Sequence, residues 1–94
     1  MPRSIKDVLQ EQFGITEKIT KVYEYFDCSD NKLTSLEGAP REVGGYFSCD
    51  NNNLTSLEGS PTKVSGDFNC YNNTKQFTEE EIRAVCNVKG KVNA

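Results

Sequence analysis

Apolar and polar positions along this chain repeat with a period of 21 residues. Phe26, Phe47 and Phe68 mark three copies of one pattern, and each is followed two residues later by a cysteine. In the first two copies a Leu-x-x-Leu segment and a Gly-x-Pro turn come next. A fixed period of this length predicts stacked coils, none of which buries its apolar side alone. The predicted fold class is an α/β-type solenoid.

Within each copy the apolar positions alternate with polar ones, which is typical of a strand with one buried side. The predicted inward-facing positions are Val22, Glu24, Phe26 and Cys28 in the first copy, Val43, Gly45, Phe47 and Cys49 in the second, and Val64, Gly66, Phe68 and Cys70 in the third. We expect the two glycines to mark a close approach of the chain. Glu24 departs from their pattern, and we expect it at a solvated end.

A helix is predicted before the repeats. Ser4 is a candidate N-cap, Gly14 is a candidate stop, and the apolar positions between them recur at helical spacing. The predicted buried face consists of Ile5, Val8, Leu9, Gln12 and Phe13. We therefore expect an N-terminal helix that covers the open end of the stack.

A second helix is predicted after the third copy, where Thr78 and Glu81 have the spacing of a capping box. The segment from Val88 to Val92 then repeats the strand opening of the earlier copies, 24 residues after Val64. The apolar stripe of this helix is Ile82, Val85 and Cys86. The chain is therefore expected to supply about four parallel strands, with a helix in the last coil.

The string from Pro40 through Phe47, Cys49 and Asn52 to Leu57 resembles leucine-rich repeats of the short bacterial type. The resemblance covers residues 19–77, and the repeated sequence Leu-Thr-Ser-Leu-Glu-Gly-x-Pro is similar to repeats of small bacteriophage and bacterial proteins. It implies a single domain over 1–94, with a cap helix in 1–18, repeats in 19–77, and a helix and terminal strand in 78–94. It also implies an asparagine ladder formed by Asn31, Asn52 and Asn73, whose amides bond to backbone groups.

Composition narrows the classes of protein that fit. The net charge is −3, so the chain lacks the basic footprint of a sequence-independent nucleic-acid binder, and a basic protein partner is favoured. No apolar run approaches the length of a membrane-spanning helix, and residues 1–11 do not read as a secretory signal. We expect no contact with a membrane and a cytoplasmic location, in the host cytoplasm if a phage encodes the chain.

Catalytic and metal-binding readings find little support in the residues. The chain has no histidine, and three of its four cysteines recur at one inward position, where reduced and buried thiols are expected. Ligands in one column lie in a line, whereas zinc requires a tetrahedron. We therefore expect no enzyme activity, no metal and no cofactor.

The aromatic residues divide by type between the two sides of the predicted strands. All five phenylalanines fall at predicted core or cap positions, whereas all four tyrosines face outward. Tyrosine is a common anchor of protein interfaces. The predicted binding face is Tyr23, Tyr25, Asp27, Tyr46, Ser48, Asp50, Asp67, Asn69 and Tyr71. The alternative without a function is that tyrosine occurs at these positions only because it is favoured in β-strands.

The lysines Lys89 and Lys91 lie on the last predicted strand, which is an edge. Charged residues guard such edges against pairing, and a less well guarded edge could form a symmetric homodimer. Three functions therefore stay open. The first is a non-catalytic protein-binding module, a small phage-type inhibitor of a host or defence protein that acts through its strand face. The others are a structural, self-assembling homo-oligomer and an acidic mimic of nucleic acid.

Overall fold

The computed structural model describes residues 3–17 and 19–94, and the predicted Lys18 boundary of the first segment lies outside them. The chain forms a parallel β-solenoid of about three turns with two helices. The strands are β1 (Lys21–Val22), β2 (Phe26–Asp27), β3 (Glu42–Val43), β4 (Phe47–Ser48), β5 (Lys63–Val64), β6 (Phe68–Asn69), β7 (Asn87–Val88) and β8 (Val92–Asn93). The odd-numbered strands make a first sheet and the even-numbered strands a second sheet, and all pairs are parallel.

Each coil contributes two short strands instead of the single longer strand that the alternation predicted. A bend at residues 23–24, and at its equivalents one and two coils later, separates them. Hydrogen bonding changes direction across the bend. Before it, the later coil donates, as Gly45 does to the Glu24 carbonyl; after it, the earlier coil donates, as Phe26 does to the Tyr46 carbonyl. The alternation is continuous through this change, which is why the sequence did not reveal it.

Glycines bring the coils together at the bend, as predicted. A Cβ atom at Gly45 would lie 2.9 Å from the Tyr25 nitrogen of the coil before, and one at Gly66 would lie 2.8 Å from the Gly45 carbonyl carbon. The same applies at Gly90, where the Gly66 oxygen would be 2.6 Å away. We call Glu24, Gly45, Gly66 and Gly90 the bend column. Glu24 is exposed in the first coil, so its side chain does not face this restriction.

The asparagines bond to the backbone as predicted. The Asn52 side chain accepts from the N–H groups of Asn31 and Leu33 at 3.0 and 2.9 Å, and donates to the carbonyls of Cys28 and Cys49 at 3.1 and 3.0 Å. Asn73 repeats the pattern one coil later, with the Leu54 N–H and the Cys49 carbonyl. These bonds satisfy buried backbone groups where each coil leaves the second sheet.

A left-handed residue precedes each of these asparagines. Asp30, Asn51 and Asn72 have φ angles of 58°, 57° and 54°. Asparagine and aspartate tolerate this conformation better than other non-glycine residues. The polar run at this point in every repeat therefore has a backbone reason as well as a hydrogen-bonding one.

Helix α1 (Ile5–Phe13) precedes the first coil and ends at the left-handed Gly14. Ile5, Val8 and Leu9 are buried in the core. Two members of the predicted face are not buried. Gln12 donates to the Asn31 side chain, and Phe13 is 66% exposed because it forms one wall of an open groove opposite residues 22–28.

Helix α2 (Glu79–Val85) joins β6 to β7 and thus replaces the return path of the third coil, as predicted. Thr78 and Glu81 form the capping box, since the Glu81 N–H donates to the Thr78 hydroxyl at 3.2 Å. Only Ile82 of this short helix is buried. Val85, predicted in the apolar stripe, is exposed, because the chain becomes extended at Cys86 and turns inward only there.

The core is one cluster that runs the length of the stack. A column of phenylalanine rings runs through it: Phe26 stacks on Phe47 with 6.0 Å between the centroids, and Phe47 meets Phe68 at a tilt of 50° with 5.1 Å between the centroids. All four cysteines are free and buried. Among the described residues, no helix has the length and apolar character needed to cross a bilayer.

Candidate binding face

Two tyrosines stack on each other beside the bend. The ring centroids of Tyr25 and Tyr46 lie 5.0 Å apart and the ring planes differ by 10°. Tyr25 is 56% exposed and Tyr46 is 37% exposed. The parallel register of β2 and β4 places them there, because each precedes the phenylalanine of its own coil. Partial burial, the Asp27 carboxylate and Tyr25 raise the pKa of the Tyr46 hydroxyl. That hydroxyl therefore remains a hydrogen-bond donor at neutral pH.

Tyr23 lies on the other side of Glu24 from Tyr25 and is highly exposed. The Lys21 ammonium is 4.9 Å from its ring centroid, a cation–π contact that holds the ring against the first sheet. We call Tyr23, Tyr25 and Tyr46 the tyrosine patch. Tyr71 is exposed as well, but it follows the second sheet, at the turn into Asn73. Of the four predicted tyrosines, the structure therefore stacks Tyr25 on Tyr46, places Tyr23 two residues before Tyr25 at the bend, and leaves Tyr71 apart.

The acidic residues of the predicted face are engaged with nearby groups of their own coil or the next one. Asp27 accepts from the backbone and hydroxyl of Ser29. Asp50 accepts from the Tyr71 N–H and the Ser48 hydroxyl. Asp67 accepts from the Lys91 N–H of the next coil at 2.9 Å. These carboxylates fix the loops around the face and still give it negative charge.

Ser48 and Asn69 share a column with Asp27 along the second sheet. Ser48 is only 6% exposed, because its short side chain lies between longer neighbours, so it offers little surface to a partner. Asn69 is half-buried and accepts from the Asn93 amide at 2.8 Å. The open part of the predicted face is therefore the tyrosine patch with Asp27, and Tyr71 after the second sheet.

An arginine that the sequence analysis did not single out occupies the edge next to Lys89 and Lys91. The Arg83 guanidinium donates from Nη1 to the Val88 carbonyl at 2.7 Å and from Nη2 to the Gly90 carbonyl at 3.1 Å. Its Nε donates to Glu79 at 2.8 Å within α2. Lys89 and Lys91 are exposed beside it. In the sequence, Arg83 reads only as the partner of Glu79 in a Glu-x-x-x-Arg pair, which is a common surface feature of helices. No signal in the sequence indicated that its guanidinium also bonds to the strand carbonyls.

The buried thiols are poorly suited to nucleophilic chemistry. The Sγ atoms of Cys49 and Cys70 lie 3.3 Å apart. The contact with Cys70 and then burial raise the pKa of Cys49, burial raises that of Cys28, and burial raises that of Cys86 to about 11. Thiols in this environment stay protonated at neutral pH. Within residues 3–17 and 19–94, no cluster of three or more cysteine or acidic side chains could hold a metal ion.

The tyrosine patch thus combines exposed aromatic rings with one acid beside them and a hydrogen-bonded scaffold beneath. Comparison with protein-family models, with curated proteins and with solved structures found no match for this chain.

Proposed function

We propose that this chain is a non-catalytic protein-binding module that holds its partner on the tyrosine patch. The observation that carries the proposal is the exposed Tyr25–Tyr46 stack. Aromatic side chains at the centre of an interface contribute much of its binding energy, and a ring fixed before binding loses little freedom on association. The coil backbone fixes the Cα positions of both rings, so the patch is organised before a partner arrives.

The charge of the module favours a partner with a basic surface. Asp27 is exposed beside the stack, Glu24 is exposed between Tyr23 and Tyr25, and the net charge is −3. Such a surface attracts a basic partner and speeds its association at low salt. We extend the proposal to a small inhibitor that covers a basic functional surface of a host or defence protein.

Kinship with short leucine-rich repeats and action in the cytoplasm are parts of the same proposal. The 21-residue period, the asparagine ladder and the buried Leu33, Leu36 and Leu54 support the kinship. In this account α1 closes the end of the stack beside the first coil. The four free thiols suit a reducing compartment.

The test is affinity capture from a bacterial lysate with three immobilised proteins. They are the unaltered chain, the Tyr25→Ser/Tyr46→Ser variant and the matched Tyr71→Ser variant, which also loses exposed tyrosine area. A protein retained by the first and third is then titrated against all three. We expect the double variant to bind it about 30-fold more weakly or worse, the effect of one interface hot spot. Equal affinity for the double variant would refute the role of the patch.

A further inference from the structure

We infer that Glu24 and Arg83 are end stops that prevent the two complementary ends of this solenoid from joining head to tail with a second copy of the chain. The inference does not rest on the proposed function, because its argument uses the backbone of the strand edges and not the tyrosine side chains on either side of Glu24. It rests on the hydrogen-bond ladder of the first sheet and on the space at the bend column.

The Arg83 guanidinium occupies the positions at which a further coil would donate. Along the stack, the carbonyls of Val22, Val43 and Val64 accept from the next coil at 2.8–2.9 Å, and that of Val88 accepts from Arg83 instead. Along the bend column, the carbonyls of Glu24, Gly45 and Gly66 accept from the next coil, and that of Gly90 accepts from Arg83. One side chain thus replaces two backbone donors of an added strand.

Glu24 closes the opposite end of the same column. Every later member of the bend column is glycine, because a Cβ there would lie 2.6–2.9 Å from the backbone of the coil before it. If the first coil of a second copy were placed on β7 in the same register, Glu24 would follow Gly90 in the column. Its Cβ would then meet the backbone of that coil at a distance that real contacts do not show.

The strand edges of the two ends are otherwise matched, because α1 and the residues before it bond to the return path of the first coil, at Thr34 and Glu37, and leave an open groove along residues 22–28. Stops are therefore needed at the strand edges. Because the coils are parallel and in register, the first-coil edge continues the hydrogen-bonding pattern that the β7 and β8 edge begins. The charges are also complementary, since Lys89 and Lys91 lie at one end and Glu24 and Asp27 at the other. A contact between unlike ends does not close on itself and would grow into an open filament.

Two single variants open one end each and provide the test. Glu24→Gly opens the first-coil end, and Arg83→Ala opens the β7 end. We expect each alone to remain a monomer of 10.5 kDa in analytical ultracentrifugation. We expect their equimolar mixture to approach twice that mass, and the Glu24→Gly/Arg83→Ala double variant to exceed it with rising concentration. Circular dichroism confirms that each variant is folded at the measuring temperature.

The matched control separates the Cβ atom from the charge. Glu24→Ala removes the carboxylate but keeps the Cβ, so the Glu24→Ala/Arg83→Ala variant is expected to stay monomeric. The inference is overturned if the folded Glu24→Gly/Arg83→Ala variant stays monomeric at the highest concentration reached. It is also overturned if the alanine control assembles equally well, or if either single variant assembles alone, because association would then not depend on joining unlike ends.

Discussion

At the scale of single residues, the asparagine ladder is the feature whose chemistry the sequence indicated best. A side chain that recurs every 21 residues and carries both a donor and an acceptor suits a bend where backbone groups lose their ladder partners. Asn52 is the most buried of the three. The resemblance to leucine-rich repeats indicated the role of the asparagines. The left-handed conformation of the residue before each asparagine became visible only from the φ angles of the structure.

Asn52→Ala is expected to lower the free energy of unfolding by about 3 kcal/mol, because it removes the side-chain partner of two N–H groups and of the Cys28 carbonyl, while the Cys49 carbonyl keeps its bond from Asn73. Urea denaturation followed by circular dichroism measures the change. The matched control is Asn53→Ala, an exposed neighbour, which should stay within about 0.5 kcal/mol of the unaltered chain. A loss below that figure for Asn52→Ala would contradict the ladder's role.

At the scale of elements, the glycine of the bend column decides how closely neighbouring coils pack. A Cβ atom in place of its hydrogen would lie 2.6–2.9 Å from the backbone of the coil before it. The alternation of apolar and polar residues passes through the bend unchanged, so it specifies which side chains point inward but not where a strand ends. In the sequence, the boundary between the two strands of a coil was indicated only by Gly45 and Gly66.

Gly66→Ala is expected to cost about 1–3 kcal/mol of unfolding free energy, since its Cβ would lie 2.8 Å from the Gly45 carbonyl carbon and the coils would have to separate. Thermal melts of the variant and of Glu24→Ala, the same column without a coil before it, give the comparison. Glu24→Ala should melt close to the unaltered chain. Similar melting of all three proteins would show that the coils can separate without cost.

The elements that sequence reasoning placed less well lie where helices meet the stack. The helical spacing gave the faces of α1 and α2, but Phe13 and Val85 are exposed because the core ends before the helices do. The hydrogen bonds from Arg83 to the Val88 and Gly90 carbonyls could not be predicted either, since they depend on the angle at which α2 crosses β7. Such long-range geometry is fixed by packing, for which a periodic pattern carries no signal.

At the scale of the whole molecule, one continuous core shields every thiol in the stack. Cys28, Cys49 and Cys70 are 1%, 0% and 2% exposed, and Cys86 is buried against the third coil. Cys49 lies between the coils of Cys28 and Cys70, and Cys28 is covered by the second coil on one side and by α1 on the other, so the opening of one loop does not expose the whole column. Thiol chemistry therefore reports on the integrity of the stack as a whole.

The four cysteines are expected to react with Ellman's reagent at least about 100-fold more slowly in the folded protein than in 6 M guanidinium at pH 8, because burial blocks access to all four thiols and the pKa values of Cys28, Cys49 and Cys86 are raised. Absorbance at the reagent's product band follows the reaction. A Ser65→Cys variant, whose added thiol is at an exposed position, supplies the fast control. Rapid reaction of a thiol in the unaltered folded chain would contradict the shielding.

The bend column also has a consequence for how such a protein can change in length. A coil with glycine in the bend column can follow another coil, whereas a coil with glutamate there fits only as the first coil. The residue in the bend column therefore determines which coil comes first. Duplicating the block 43–63 would therefore add an acceptable unit and lengthen the solenoid by about 4.8 Å. Both stops would keep their places, and length could evolve by copying alone.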